Sequence, residues 1–452
     1  MKIIIIGCGK VGLTLAELLS AEKHDVVLID ESSQKLSSIP EELDALRILG
    51  NGASVNIQQE AGVEEADLLI AVTGSDELNL LCCLIAKRVS KCHTIARVRN
   101  PVYSKELGFI KQSLGISMII NPELEASLET ARILYLPTAL EVNSFAHGQA
   151  EIVKFKIPEG NLLDGMTIAT LGKSITNDIL ICAIEREGEV YIPGGNFQMA
   201  KDDIVSFVAP RRHIRSFLKK IGFKTKQVKD AMIVGGGKAS YYLAKQLIAM
   251  GIDVKIIEQN KERCEELSIL LPEAIIINGD GTDEEVLREE GIEYAQAFIP
   301  LTGIDEENIM LTLHAKQVSN AKLITKINRS TFKNVISKLD LGSVIYPRYI
   351  TSEAIIAYVR AKKNSTNSNI ETLYHMFDNR AEAIEFCVDE PSSVTGIPLK
   401  DLMLKNDLLV SFIYRNGKVQ IPSGLDTIEV GDTVMIVTTH TGLDNIQDII
   451  RS

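Results

Sequence analysis

The residues best suited to chemistry lie in two glycine loops, each between an apolar run and a helical pattern. Gly7-Cys8-Gly9-Lys10-Val11-Gly12 follows the run Ile3 to Ile6 and precedes LTLAELLSAE. In such a loop the first glycine permits the tight turn, the second admits a pyrophosphate against the backbone, and the third lets helix and strand pack closely. The helix N-terminus adds N–H donors and the positive end of its dipole. Asp30 ends the next strand, 23 residues after Gly7, where a carboxylate can accept bonds from both ribose hydroxyls. An acid there disfavours a 2′-phosphate, so NAD(H) is expected rather than NADP. Lys10 is placed to reach a terminal phosphate, which keeps ATP or ADP open as ligands; its alternative is a solvated lysine at a helix start.

The second loop is Gly235-Gly236-Gly237-Lys238-Ala239-Ser240, with Glu258 again 23 residues after the first glycine. Ser240 replaces the third glycine and is expected to loosen the packing of helix on strand, so the second site is expected to be the weaker. Gly50-Asn51-Gly52 and Gly279-Asp280-Gly281 follow the third strand of each repeat, where an adenine ring would lie. Asn51 or Asp280 either bonds the base edge or caps the following helix. Thr73-Gly74-Ser75-Asp76 and Thr302-Gly303-Ile304-Asp305 follow the fourth strand, and Asn79 and Asn308 come just after. They close the crevice at the carboxyl ends of the strands, where ligands sit in such sheets. Arg97 and Lys326 end the fifth strand and either pair with phosphate or are surface cations.

Positioning these loops requires a duplicated framework. The chain repeats with an offset close to 229 residues: GNGAS at 50–54 returns as GDGTD at 279–283, AVTGSDELN at 71–79 as PLTGIDEEN at 300–308. Gly188 and Gly417, Pro193 and Pro422, and Asp203 and Asp432 keep the offset. A period this long means duplicated domains, not a solenoid. Within each repeat, unalternated apolar runs separated by helical patterns predict a parallel sheet covered on both faces. The segments EREGEVYIPGG and YRNGKVQIPSG, with Glu-Gly and Asn-Gly turns, predict hairpins in a smaller lobe. The expected fold class is α/β, with two doubly wound parallel-sheet Rossmann-type domains, each followed by a small α+β lobe. The expected domains are 1–137, 138–223, 229–361 and 370–452, with linkers at the polar stretches 224–230 and 362–369.

Composition narrows the function. The 452 residues are 45% hydrophobic and 24% charged, a globular balance, and the net charge of −12 argues against nucleic acid as a partner. No run approaches the roughly 18 apolar residues a membrane span needs, and Ile3 to Ile6 is too short for a signal-peptide core, so a cytosolic protein is expected. The seven cysteines are scattered without a CxxC pair, which predicts reduced, buried thiols and no zinc site. A dehydrogenase would need a proton-transfer group beside the nicotinamide, and none of the seven histidines has a recurring setting. Catalytic residues are therefore not expected.

GCGKVG with Asp30, GNGAS, AVTGSDELN and ARVRNP, together with their second-repeat counterparts and the Ile-Pro turns at 192–193 and 421–422, resemble the Trk potassium uptake regulatory proteins, the TrkA family. The resemblance covers essentially the whole chain. It implies two nucleotide-binding "regulator of potassium conductance" (RCK) domains, each with its C-terminal lobe. It further implies a cytoplasmic protein, peripheral on the inner face of the cell membrane, that assembles as a tetramer or dimer of dimers on a Trk-type potassium-transporting membrane subunit. NAD(H), and ATP or ADP, would bind the nucleotide lobes and gate potassium flux; the alternatives are a nucleotide-sensing regulator of another ion transporter and an NAD-dependent dehydrogenase. The helices beginning near Pro122 and Pro347 would cross between partners. The family more commonly carries arginine at the position of Lys10, and GDAT where this chain has GNGAS.

Overall fold

Isoleucine runs with no polar alternation must be covered on both faces, and they form the central strands of layered α/β lobes. The computed structural model describes residues 1–103, 106–174, 179–223, 225–328, 333–336, 338–363, 369–377 and 379–451. Lys224 and residues 364–368, which fall in the two expected linkers, lie outside the described residues. In the first repeat β1 (Lys2–Ile6), β2 (Asp25–Asp30), β3 (Ala45–Leu49), β4 (Leu68–Ala71), β5 (His93–Arg97) and β6 (Met118–Ile120) form a parallel sheet ordered β3-β2-β1-β4-β5-β6. The strand order reverses between β1 and β4. Loops at the carboxyl ends of these two strands therefore diverge and leave a crevice.

The first small lobe is antiparallel. Its strands are β7 (Glu141–Phe145), β8 (Ala150–Lys156), β9 (Leu180–Arg186), β10 (Glu189–Tyr191) and β11 (Ile204–Pro210), ordered β10-β9-β11-β8-β7. The second repeat reproduces both sheets. Strands β12 (Asp230–Val234), β13 (Asp253–Glu258), β14 (Ile275–Asn278), β15 (Ala297–Pro300), β16 (Lys322–Lys326) and β17 (Ser343–Ile345) are ordered β14-β13-β12-β15-β16-β17. Strands β18 (Ile370–Met376), β19 (Ala381–Cys387), β20 (Leu408–Arg415), β21 (Lys418–Gln420) and β22 (Thr433–Thr438) are ordered β18-β19-β22-β20-β21, the first small lobe's topology read from the other edge.

Contacts divide the chain by lobe type and not by repeat. One compact unit is 1–130 with 229–352, and the other is 131–228 with 353–452. The divisions fall inside the helices Pro122–Tyr135 and Pro347–Lys363, so 131–137 and 353–361 group with the small lobes. In the first unit the two nucleotide lobes are joined by Tyr242, on the helix that follows the second glycine loop. Its hydroxyl donates to the Arg99 carbonyl at 3.0 Å and accepts from Asn121 Nδ2 at 3.0 Å. In the second unit the two small sheets share one apolar core containing Phe145, Ile152 and Val208 from one lobe and Met376, Phe412 and Met435 from the other.

The hairpin turns form as the sequence predicts. Glu187 and Gly188 close β9 to β10 with φ of 53° and 87°, and Asn416 and Gly417 close β20 to β21 with 52° and 77°. Two left-handed residues in a two-residue loop match the right-handed twist of the flanking strands. The repeated Asp203 and Asp432 each receive a two-pronged arginine. Arg186 Nε and Nη2 both lie 2.7 Å from the Asp203 carboxylate, and Arg415 lies 2.7 and 2.6 Å from Asp432. The Ala200 and Glu429 N–H groups add 2.8 and 2.7 Å bonds to the same carboxylates. Both aspartates are buried, so removing one strands an arginine and a backbone donor. Asp203→Ala is expected to lower stability by about 2–4 kcal/mol in denaturant unfolding. A loss below about 0.5 kcal/mol would mean the clasp contributes no more than a surface pair.

Candidate nucleotide-binding site

The first crevice is a cavity of about 520 Å³ at the carboxyl ends of β1, β2, β4 and β5. That volume suits a small-molecule ligand. Gly7, Gly9, Lys10, Val11, Asp30, Gly52, Thr73, Gly74 and Arg97 all line it. Gly7 has φ +103°, and a Cβ there would lie 2.9 Å from the Thr73 nitrogen, so the turn is open only to glycine. A Cβ on Gly9 would have nothing within 4 Å and would project into open space, the room a ligand needs to approach the backbone. Gly12 does not line the cavity. A Cβ there would lie 2.0 Å from the Gly7 carbonyl oxygen, so this glycine sets how closely the helix Lys10–Ala21 meets the loop.

Asp30 is the hinge of the site. Its Oδ2 accepts from the Cys8 N–H at 2.7 Å, its Oδ1 from the Ser32 N–H at 2.9 Å, and Lys35 Nζ lies 3.3 Å away. Burial pushes the carboxyl pKa up, but the Ser32 and Cys8 N–H groups and the Lys35 ammonium outweigh it and hold the value below the usual one. The carboxylate therefore stays ionised and fixed at the cavity wall. Cys8 itself is buried, with its thiol pushed up to about 12 chiefly by burial and then by the Asp30 charge, so it contributes its backbone N–H and no thiolate chemistry.

Three further residues expected in the crevice serve the backbone instead. Asn79 is fully buried: its Oδ1 accepts from Thr73 N and Oγ1 at 2.8 and 2.7 Å, and its Nδ2 donates to the Arg97 carbonyl at 2.9 Å. Asp76 Oδ2 accepts from the Arg99 and Asn100 N–H groups at 2.9 and 2.7 Å. Asn51 Oδ1 accepts from Ala53 N at 2.8 Å, the turn-making role. None of the three lines the cavity, because buried or turn backbone donors claim them first.

Sequence reasoning missed several cations. Lys35 and Arg99 line the cavity, as does Arg348 from the second repeat. Arg97 Nη2 donates to the Thr73 carbonyl and Arg99 Nη2 to the Gly74 carbonyl at 2.7 Å, so both clamp the loop after β4. Burial, and then the neighbouring Arg99, pull the Arg97 pKa down to about 10, still charged near neutral pH. An anion between these guanidiniums would relieve their mutual repulsion. Spacing hints at Lys35, one helical turn past Asp30, and at Arg99 in ARVRNP; nothing local marks Arg348.

The second crevice, about 470 Å³, is lined by Gly235, Gly236, Gly237, Glu258, Asp280 and Thr302, among other residues of the same repeat. Glu258 repeats the role of Asp30, with Oε2 accepting from Gly236 N at 2.6 Å and Oε1 from Asn260 N at 2.7 Å. Ser240 is buried where the first repeat has Gly12, and its hydroxyl donates to the Gly235 carbonyl at 2.5 Å, tying the helix start to the loop. Lys238, Ala239 and Gly279 are not among the residues lining this crevice, and Lys326 donates to the Leu301 carbonyl at 3.1 Å. Burial lowers the Lys326 pKa. The charges differ sharply. Lys10, Lys35, Arg97, Arg99 and Arg348 line the first cavity with Asp30, Glu31 and Glu123. The charged residues lining the second are Glu258, Asp280 and Glu307, with no cation among the described lining residues. The first lining thus carries a surplus of positive charge and the second only negative charge.

A duplicated, doubly wound sheet with its crevice at the reversal of strand order, followed each time by an antiparallel five-stranded lobe, defines a tandem nucleotide-fold protein. The TrkA-N domain family matches residues 3–122 and 231–347, and the TrkA-C domain family matches 152–222 and 383–451. The chain belongs to the TrkA family of Trk system potassium uptake proteins. It is 32% identical over 99% of both chains to Trk system potassium uptake protein TrkA homolog 1 of Methanosarcina mazei. It is 33% identical over 100% of both to the Archaeoglobus fulgidus homolog. Among solved structures it is similar to the GsuK channel bound to NAD, with TM-score 0.64 and 17% identity, covering 97% of this chain and 76% of that one. It is also similar to GsuK bound to ADP, with TM-score 0.51 and 16% identity, covering 80% and 69%.

If the charge asymmetry governs binding, calorimetric titration with NADH resolves two unequal classes of site, and Gly235→Val abolishes only the weaker. Asp30→Ala weakens the tighter class by about 1.5–3 kcal/mol. Because the Asp30 pKa is held low, its contribution to stability is present above about pH 4, the ordinary carboxylate value, and is lost as pH falls further. Unchanged affinity in Asp30→Ala would move the ligand elsewhere.

Proposed function

We propose that this chain is the nucleotide-sensing regulatory subunit of a Trk-type potassium transporter. It binds NAD(H), ADP or ATP in the first cavity and gates potassium flux through a separate membrane subunit. The observation that carries the reading is the first cavity, with glycine-loop backbone, an ionised Asp30 and a surplus of cations converging on one space. The residues fit a dinucleotide or an adenine nucleotide. Gly7 permits the tight turn, Gly9 leaves the backbone open to a pyrophosphate, Asp30 is the ribose acceptor, and Arg97 keeps a buried Nε with no hydrogen-bond partner in the structure. Relatives named as Trk potassium uptake proteins supply the transporter class of the partner. The proposal includes a homo-oligomer, a tetramer or dimer of dimers, peripheral on the cytoplasmic face, with the four-lobe division 1–137, 138–223, 229–361 and 370–452. Among the described residues no helix is long and apolar enough to cross a membrane, so an attachment through a partner suits it.

A regulator and not a dehydrogenase is favoured by the lining of the crevices. Of the seven histidines, none lines either cavity, and the first cavity gathers cations suited to phosphate. A ligand gates only by binding two shapes of the assembly unequally. Reconstituted with its membrane subunit in liposomes, the protein should change potassium flux about 5–150-fold on adding nucleotide, the range of typical coupling energies. NADH should remain unoxidised throughout. Flux indifferent to nucleotide, or NADH consumed without the membrane subunit, would overturn the reading.

A further inference from the structure

The first cavity is not built by the first repeat alone. Asn328, Pro347 and Arg348 of the second repeat line it together with the first glycine loop, and all lie in the same compact unit. Arg348 stands in the first turn of the helix Pro347–Lys363. Its Nε and Nη2 are shielded from solvent and have no hydrogen-bond partner in the structure. Buried guanidinium N–H groups without acceptors are costly, and the forked geometry of arginine is matched by the oxygens of a phosphate. Asp30 is bonded to Cys8, Ser32 and Lys35, and Glu31 is exposed. Glu123 Oε1 lies 3.5 Å from Arg99 and its Oε2 is buried without a hydrogen-bond partner, so this acid tempers the surplus of cations but forms no hydrogen bond with Arg348. Arg97, on the opposite side of the repeat boundary, also presents a buried, unpartnered Nε. The arrangement is one-sided. Pro122-Glu123 opens the matching helix of the first repeat, so glutamate stands where the second repeat has Arg348, and the second cavity is lined by second-repeat residues.

We propose that Arg348 is a phosphate-binding residue of the first site, supplied by the second repeat. A diphosphate-bearing adenine nucleotide on the first glycine loop is then held from both repeats at once, so occupancy of the site fixes one nucleotide lobe against the other. A nucleoside without phosphates gains nothing from Arg348. The assignment rests on the nucleotide reading above and adds to it the residue that discriminates by phosphate.

The test is calorimetry on the full-length chain with ADP, NADH and adenosine, comparing the parent with Arg348→Ala and Arg348→Lys. Arg348→Ala should weaken ADP and NADH at the tighter class about 10- to 100-fold, the usual consequence of losing a charged hydrogen-bond partner. Adenosine affinity should stay within about 2-fold of the parent, a change of under roughly 0.5 kcal/mol. Arg348→Lys, which keeps the charge and loses the fork, should recover part of the ADP affinity, and it carries the test alone if the alanine variant does not fold. ADP affinity unchanged in either variant, or ADP and adenosine weakened alike, would overturn the assignment while leaving the nucleotide reading in place. A parent protein that binds neither ADP nor NADH would remove that reading, and Arg348 with it.

Discussion

The nucleotide lobes depend on one close approach, that of the helix Lys10–Ala21 to the end of β1. A single added carbon on Gly12 would stand 2.0 Å from the Gly7 carbonyl oxygen, and one on Gly52 would stand 2.2 Å from Ile6. These contacts bring the helix N-terminus, the loop after β3 and the loop after β4 to the rim of a single crevice. Asp30 then locks the loop by accepting the Cys8 N–H. The cations gather around a backbone already shaped for an anion. Arg97 and Arg99 are held there by their bonds to the Thr73 and Gly74 carbonyls.

Duplication preserved the framework and changed its electrostatics. The ties behind the crevice persist: Asn308 bonds Thr302 and the Lys326 carbonyl as Asn79 bonds Thr73 and the Arg97 carbonyl, and Asp305 receives the Asn328 N–H as Asp76 receives that of Arg99. The groups that would meet a phosphate do not persist. Arg97 became Lys326, directed at a carbonyl, and Arg99 became Asn328, while Glu307 joined the lining of the second crevice. The small lobes show the same economy, since the Arg186–Asp203 and Arg415–Asp432 clasps repeat in nearly identical geometry.

Local signals told most about local structure. The unbroken isoleucine runs, the glycine loops and the two φ-positive hairpin turns were readable because each depends on neighbouring residues. Asp30 and Glu258 were readable as acids at the rims of the crevices, although their bonds to Cys8 and Gly236 were not. Asn51, Asp76 and Asn79 were ambiguous for one reason. They are polar, short and beside the crevice, but nearby backbone N–H groups had to be satisfied, and residue type cannot tell a ligand contact from a loop tie. The offset pair Asp203 and Asp432 was visible, while their arginine partners were not singled out. Arg348 was out of reach, because its place in the first cavity depends on how the second nucleotide lobe docks on the first.

The central claim is that the first cavity, with its converging cations, takes the diphosphate of an adenine nucleotide, and that the second does not take it equally. A crystal structure of the full-length chain grown with ADP at a concentration between the two affinities tests it most directly. The account predicts diphosphate density against the backbone of Gly9 and Lys10, with the ribose beside Asp30 and the second crevice empty. Nucleotide ordered against Gly235 to Gly237, with the first cavity free of it, would contradict the account.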